Sequence, residues 1–138
     1  MADVHDQKTR SYNMSQIKGS DTKPEMIVRK YLHAKGLRYR LHAKSLPGKP
    51  DLVFKKHKTV VFINGCFWHG HANCKYFKLP KSRTEWWREK ITKTKNRDRI
   101  AIDKLDSADW KVIVVWECKL KSNNQQKFLK NLYEKIVN

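Results

Sequence analysis

The stretch Asn64-Gly65-Cys66-Phe67-Trp68-His69-Gly70-His71-Ala72-Asn73-Cys74 holds two cysteines and two histidines within eleven residues. Thiolate and imidazole are the ligands that zinc prefers, and a structural zinc site needs four of them in a tetrahedron. Cys66, His71 and Cys74 offer three, and Cys118 is the remaining cysteine of the chain. The alternative is that these are small buried thiols. Because one site would use every cysteine, the pattern favours structural zinc.

Composition limits the class of protein. A chain of 138 residues is long enough for one domain with a real core, but not for two. Its 31 Lys and Arg residues outnumber 13 Asp and Glu, for a formal net charge of +18. Such an excess predicts a polyanionic partner. Nucleic acid is favoured over an anionic membrane, because neither end of the chain has a basic amphipathic helix with a Trp/Leu face.

The sequence predicts a cytoplasmic protein without a membrane anchor. Met1 to Arg10 lacks the apolar core of a signal peptide, and no apolar run approaches the roughly 20 residues of a membrane span. Three cysteines is an odd number, which favours metal binding over disulfides.

The first twenty residues are polar and show no clean periodicity. They could be a disordered tail or an arm that orders on DNA, with Met14 as an apolar wedge between base steps. We predict an N-terminal DNA-contacting arm over residues 1–20 and a single domain over residues 21–138.

Helix signals come early, in the middle and at the end of the chain. Thr22-Lys23-Pro24-Glu25 fits a capping box and predicts a helix to about Lys35. Ser82-Arg83-Thr84-Glu85 fits a second one, opening a helix to about Leu105. Asn123 or Asn124 is expected to cap a last helix, whose apolar face carries Phe128, Leu129, Leu132, Tyr133 and Ile136.

Strand patterns lie between these helices. Arg38–Leu41 alternates, Asp51–Phe54 and Thr59–Ile63 predict a hairpin, and Val112–Trp116 predicts a buried central strand. The order α-β-β-β-α-β-α predicts a three-layer α/β domain with helices flanking a mixed sheet.

Two further features suggest chemistry on DNA. Asp51 directly follows Pro50 at the start of a strand, where it is either a turn carboxylate or a ligand for Mg²⁺. Between residues 75 and 99, ten Lys and Arg residues are interleaved with aromatic ones. That run is either a solvated basic helix or a surface for backbone contact and base stacking. Of Trp86 and Trp87, one is expected to face the core and the other to be functional.

These motifs resemble a known family. A glutamate on the first helix, Pro-Asp opening a strand and a site after the third strand are the layout of restriction-endonuclease-like nucleases. Within that superfamily the chain closely resembles the very short patch repair (Vsr) endonucleases, from Met1 to about Lys119. The matching strings are Met1–Asp6, Arg10-Ser11-x-Asn13-Met14, Asp21-Thr22, Leu46-Pro47-Gly48-x-Pro50-Asp51, Phe62–His69 and Val115-Trp116-Glu117-Cys118, where x is a position that does not carry the resemblance.

The resemblance implies a Mg²⁺-dependent, strand-specific endonuclease that nicks DNA 5′ of the thymine in T:G mismatches left by 5-methylcytosine deamination. Implied catalytic residues are Asp51, His69, Glu25 and Asp98, although a helix salt bridge explains Asp98 equally well. Asp51 and the backbone carbonyl of Ile63 match the contacts to Mg²⁺; Cys66, His71, Cys74 and Cys118 match the zinc ligands. Phe67, Trp68 and Trp87 match DNA wedges, with Met14 entering from the opposite groove.

The chain departs from the family pattern at three points. Position 63 is Ile where some members have Thr, which matters little if only the carbonyl binds metal. Asn64 stands where other members carry His or Asp, and His71-Ala72-Asn73-Cys74 is one residue longer than the commonest His-x-Cys spacing. By the same resemblance the partner is double-stranded T:G-mismatched DNA, with mismatch-repair proteins as candidate partners. Nicking one strand at an asymmetric lesion requires only a monomer.

Two other functions fit the residues. A zinc-stapled DNA-binding module without catalysis would explain the charge and aromatics, but not Asp51 and His69. A restriction or structure-specific nuclease on the same fold would explain both residues and would differ in substrate.

Overall fold

A computed structural model describes residues 22–138 of the chain. Its elements are α1 (Lys23–Ala34), β1 (Arg40–Leu41), β2 (Leu52–Phe54), β3 (Thr59–Asn64), α2 (Thr84–Ser107), β4 (Lys111–Trp116) and α3 (Gln125–Val137). Short 3-10 helices follow β2 (Lys55–His57) and β4 (Glu117–Leu120). The predicted element order is confirmed. The predicted N-terminal arm, with Met14, lies outside the described residues.

Local sequence explains the start of α1 but not that of α2. The Glu25 backbone N–H donates to Thr22 Oγ1 at 3.4 Å, as expected of an N-cap. The predicted Ser82 cap of α2 is wrong, because the helix begins two residues later at Thr84. The preceding Arg83 has a left-handed backbone (φ +56°), and the Thr84 hydroxyl donates to the Pro80 carbonyl at 2.7 Å. This turn delays the helix.

The strands form one sheet in the order β1-β2-β3-β4. β2 pairs antiparallel with β1 and β3, which confirms the hairpin, and β3 pairs parallel with β4. The prediction that β4 is a central strand is wrong, since it lies at the edge of the sheet formed by residues 22–138. Its sequence is apolar because its side chains pack toward helices on both faces.

The sheet is the middle of three layers. On one face, Leu52, Phe54, Val61 and Val115 pack in a single core with buried residues of α1 and α3. On the other face, Val53 and Val60 pack with Leu105 of α2. Burying both faces explains why the strands are apolar runs rather than alternating ones.

One end of this sheet gathers the candidate functional residues. β1, β3 and β4 end there, whereas the antiparallel β2 begins there. The residues just beyond those strand ends therefore lie close together, although they are far apart in sequence. None of the helices in residues 22–138 is long and apolar enough to cross a lipid bilayer.

Candidate functional site

All four predicted zinc ligands come together. The ligand atoms of Cys66, His71, Cys74 and Cys118 lie within 4.8 Å of one another, and Cys118 Sγ lies 3.5 Å from His71 Nδ1. A tetrahedral zinc ion with its usual bonds to sulfur and nitrogen holds such atoms about 3.5 Å apart. The donor set and this spacing both fit zinc.

The loop that supplies three of these ligands is fixed at both ends. Cys66 is fully buried after β3, and its carbonyl accepts a hydrogen bond from the His71 N–H at 2.9 Å. The His71 ring stacks on Trp116 at the end of β4, with centroids 4.1 Å apart and planes 9° apart. Burial raises the pKa of the Cys66 thiol to about 12. A bound cation is therefore what would favour its thiolate near neutral pH.

A second cluster joins Glu25, His42 and Asp51, whose ligand atoms also lie within 4.8 Å of one another. Glu25 is only 2% exposed. Its two carboxylate oxygens lie 3.1 and 3.0 Å from His42 Nε2, and Arg29 donates to one of them at 3.2 Å. Glu25 and Asp51 were predicted from sequence; His42 was not.

Asp51 is held in an environment that disfavours its charge. Burial raises the pKa of its carboxyl group, and the neighbouring Glu25 carboxylate raises it further. The Ile63 N–H, which donates to Asp51 Oδ2 at 2.6 Å, opposes that rise, as do His42 and His69. Two carboxylates this close together attract a divalent cation, and their oxygens fit Mg²⁺. The predicted Mg²⁺ contact of the Ile63 carbonyl stays a prediction.

His69 and Asp98 form a hydrogen-bonded pair beside this cluster. His69 Nδ1 lies 2.6 Å from Asp98 Oδ2, and both side chains are partly exposed. A carboxylate accepts the hydrogen bond from Nδ1–H, so in the neutral imidazole the lone pair is on Nε2. His69 and Asp98 line a pocket together with Lys95 and Arg99. These two basic side chains place positive charge beside the His69–Asp98 pair. The pair can therefore take a proton next to a bound anion.

The three predicted wedge residues of the described chain also cluster. The Phe67 ring centroid lies 5.2 Å from that of Trp68 and 5.3 Å from that of Trp87, and Trp68 and Trp87 are 5.7 Å apart. Trp68 remains 38% exposed. Trp87 packs within this aromatic cluster, and the adjacent Trp86, which is 42% exposed, packs edge to face against Trp87 with ring centroids 4.8 Å apart. The ring planes of Phe67, Trp68 and Trp87 are inclined by 58–79°, so the rings pack edge to face or tilted rather than in a stack. Such a cluster, with one exposed ring, suits insertion of that ring between bases.

Sequence reasoning missed His42, and it did not distinguish Lys95 and Arg99 from the other basic residues. His42 directly follows β1, and its N–H donates to the Asp51 carbonyl at 3.0 Å. Extending the β1–β2 register by one residue would have placed His42 opposite Asp51. Lys95 lies three residues before Asp98 and four before Arg99, spacings that place helical side chains on one face. An assigned Asp98 would therefore have pointed to Lys95, and Lys95 to Arg99.

Comparison with known proteins gives consistent matches. The family model for DNA mismatch endonuclease Vsr matches residues 2–75. A type II nicking enzyme, V.NmeAIP of Neisseria meningitidis, is 50% identical over 88% of this chain and 86% of its own. The DNA mismatch endonuclease Vsr of Escherichia coli is 46% identical over 91% of this chain and 80% of its own. A type II nicking enzyme of Xanthomonas oryzae, V.XorIIP, is 45% identical over 87% and 88%.

These matches cover most of this chain and of each relative, at identities far above what fold similarity alone requires. They also decide against a DNA-binding module without catalysis, because the family and these three relatives are nucleases by name. The chain belongs to the Vsr family of DNA mismatch endonucleases and is a DNA endonuclease.

Proposed function

We propose that the protein is a Mg²⁺-dependent, strand-specific endonuclease that nicks DNA 5′ of the thymine in T:G mismatches and so initiates very short patch repair. Its substrates would be the mismatches left when 5-methylcytosine deaminates. The observation that carries this proposal is the convergence of the Glu25–Asp51 carboxylates, the His69–Asp98 pair and the aromatic cluster at one end of the sheet. The layout also supports a restriction-endonuclease-like core.

Hydrolysis of a phosphodiester needs a charge stabiliser and a base. Asp51, with Glu25 beside it and the Ile63 backbone carbonyl, would hold Mg²⁺. The bound ion would stabilise the negative charge that develops on the scissile phosphate. His69 Nε2 would take the proton from the attacking water, whose oxygen bonds to phosphorus as the sugar oxygen leaves. Asp98 would hold the imidazole in the tautomer that makes Nε2 the base.

The zinc cluster would position these groups without taking part in the chemistry. A site closed by four protein ligands leaves no position for substrate. It would fix the loop between Cys66 and Cys74, which carries Phe67, Trp68 and His69. Zinc therefore links the DNA wedges to the catalytic base.

Mismatch selection would rest on deformability. Unstacking a sound base step costs a few kcal/mol, and a poorly stacked T:G wobble pair costs less. Exposed Trp68, backed by Phe67 and Trp87, would enter the stack beside the mismatch, with Met14 entering from the opposite groove. The net charge of +18 supports binding to the phosphate backbone.

A single copy of the chain would suffice, because an asymmetric lesion presents one strand to nick. The three relatives come from bacteria, whose DNA lies in the cytoplasm. We accordingly propose a monomer acting on cytoplasmic, nucleoid-associated DNA, with mismatch-repair proteins as candidate partners.

The decisive experiment is a nicking assay on duplexes that carry T:G, C:G or T:A at one position, with each strand labelled separately. The T:G duplex is placed in several flanking sequences, including common cytosine-methylation sites. Nicking confined to the thymine strand of T:G supports the proposal. Cleavage of both strands, or of all three duplexes alike, would leave a nuclease of different specificity.

A further inference from the structure

His42 is positioned beside the carboxylates by the backbone rather than by chance contact. It lies one residue beyond the β1–β2 pairs, and its N–H donates to the Asp51 carbonyl at 3.0 Å. Its backbone is left-handed, with φ at +47°. Histidine is among the few side chains other than glycine that adopt this conformation with some frequency. The imidazole ring therefore lies against Glu25. It comes from the segment after β1, whereas Glu25 belongs to α1 and Asp51 directly precedes β2.

The contact between His42 and Glu25 is unusually symmetric. Nε2 lies 3.1 Å from Oε1 and 3.0 Å from Oε2, although a single N–H can point well at only one oxygen. An octahedral ion with bonds of about 2.1 Å separates adjacent ligand atoms by about 3.0 Å. The same spacing therefore suits a nitrogen and an oxygen that share one cation.

The remaining acceptors around this point are charged oxygens. Asp51 Oδ2 accepts a hydrogen bond from the Ile63 N–H, so a cation would bind Asp51 through Oδ1. Among residues 22–138, the guanidinium of Arg29 and the imidazole of His42 contact Glu25, whose carboxylate lies close to that of Asp51. A divalent cation would neutralise these two carboxylates, and an imidazole in its ligand set changes which cation is preferred.

We propose that His42 Nε2 is a direct ligand of the divalent cation held by Glu25 and Asp51, and that it shifts the preference of this site from Mg²⁺ toward Mn²⁺. This inference rests on the proposed function, which places the catalytic cation at Asp51. Mg²⁺ strongly prefers oxygen ligands and keeps its water. Mn²⁺ accepts an imidazole more readily than Mg²⁺ does, and it is the weakest-binding member of the divalent transition-metal series.

Binding, not activity, tests this proposal. The zinc-loaded full chain is titrated with Mn²⁺ while free Mn²⁺ is followed by electron paramagnetic resonance, and Mg²⁺ affinity is obtained by competition. His42→Gln should weaken Mn²⁺ binding about tenfold or more and Mg²⁺ binding much less. His57→Gln, in the 3-10 helix after β2, is the matched control and should change neither affinity.

Pulsed resonance on the unmodified protein supplies a readout that requires no variant. Bound Mn²⁺ should show coupling to an imidazole nitrogen, and this coupling should persist in His57→Gln but vanish in His42→Gln. Absent coupling, or coupling that survives in His42→Gln, would overturn the assignment of His42. So would equal losses of Mn²⁺ and Mg²⁺ affinity, which would mean that His42 merely donates a hydrogen bond to Glu25.

Asp51→Ala separates failure of this inference from failure of the proposed function. If Asp51→Ala abolishes Mn²⁺ binding while His42→Gln leaves it intact, the cation site stands and only the ligand assignment fails. If Asp51→Ala leaves Mn²⁺ affinity unchanged, the catalytic cation is not at Asp51, and both fail.

Discussion

His69 Nδ1 lies 2.6 Å from Asp98 Oδ2, although His69 belongs to the zinc-cluster loop and Asp98 to the middle of α2. The contact joins the loop that carries the aromatic wedges to the longest helix of the domain. It also decides which ring nitrogen can act as a base. Activity should therefore depend on a residue that is distant in sequence from the histidine it orients.

Asp98→Asn should slow nicking under single-turnover conditions by about 10²-fold or more, the usual contribution of a well-placed base. The amide can donate to Nδ1 and so favour the wrong tautomer, whereas DNA affinity should hardly change. Asp103→Asn is the control, because Asp103 is an exposed acid on the same helix. An unchanged nicking rate in Asp98→Asn would remove Asp98 from the catalytic machinery.

Asp51→Asn should stabilise the protein in the absence of divalent metal while abolishing its response to Mg²⁺. Because burial and Glu25 raise the pKa of Asp51 above 3.8, the ionised carboxylate is less favourable in the fold than in the unfolded chain. The variant's higher free energy of unfolding should be present near neutral pH. The difference from the unmodified protein should shrink as pH falls toward 3.8, because Asp51 then becomes protonated. Chemical denaturation of both proteins with a chelator, at several pH values, measures it. A less stable variant near neutral pH would contradict the prediction.

Cys118→Ser should lower bound zinc well below one equivalent and destabilise the domain by several kcal/mol, since zinc binding is coupled to folding. The loss should also loosen the aromatic cluster, which tryptophan fluorescence would report. Metal analysis and thermal unfolding provide the measurements. Ser122→Ala is the control, because Ser122 and Cys118 line one pocket. Full zinc content in Cys118→Ser would exclude Cys118 as a ligand.

Trp68→Ala should weaken binding to T:G duplexes by about 1–3 kcal/mol, the usual loss for one stacked base. Stability should change little, because the side chain is 38% exposed. Trp86→Ala is the comparison, since the Arg83 guanidinium and the Lys90 ammonium lie over the Trp86 ring, 4.6 and 5.2 Å from its centroid, on a basic surface suited to the DNA backbone. Loss of this ring should affect T:G and C:G duplexes equally. Fluorescence anisotropy measures the affinity of each variant for both duplexes. If Trp68→Ala prefers T:G over C:G as strongly as the unmodified protein does, Trp68 is not the wedge.

Gly48→Ala should destabilise the fold by about 1–3 kcal/mol, the usual cost of overpacking a tight site. A Cβ at this position would lie 2.7 Å from the Cβ of Ala101, and the backbone φ of +74° disfavours any side chain. Gly48 lies in the loop between β1 and β2, three residues before Asp51, where it packs against α2. Because a shift of this loop would move Asp51, Mg²⁺ affinity should fall as well. Urea denaturation checks the stability; an unchanged midpoint would show that the loop shifts freely.

The sequence by itself determined the elements and the chemistry of the metal ligands. Apolar runs predicted β2 and β3, Thr22 predicted the start of α1, and the spacing of Cys66, His71 and Cys74 predicted a zinc site. All of these depend on residues that are neighbours in the chain or share one element. Their physical causes, which are backbone capping, hydrophobic periodicity and ligand chemistry, act locally.

Only the tertiary structure decided which residues from different elements meet. The pairing of β1 with β2 brings His42 to Asp51, and the packing of α2 against the sheet brings Asp98 to His69. The same long-range contacts place β4 at the sheet edge, although its residues predict a central strand. Strand register and helix packing depend on the shapes of surfaces that form only on folding, so no local pattern encodes these contacts.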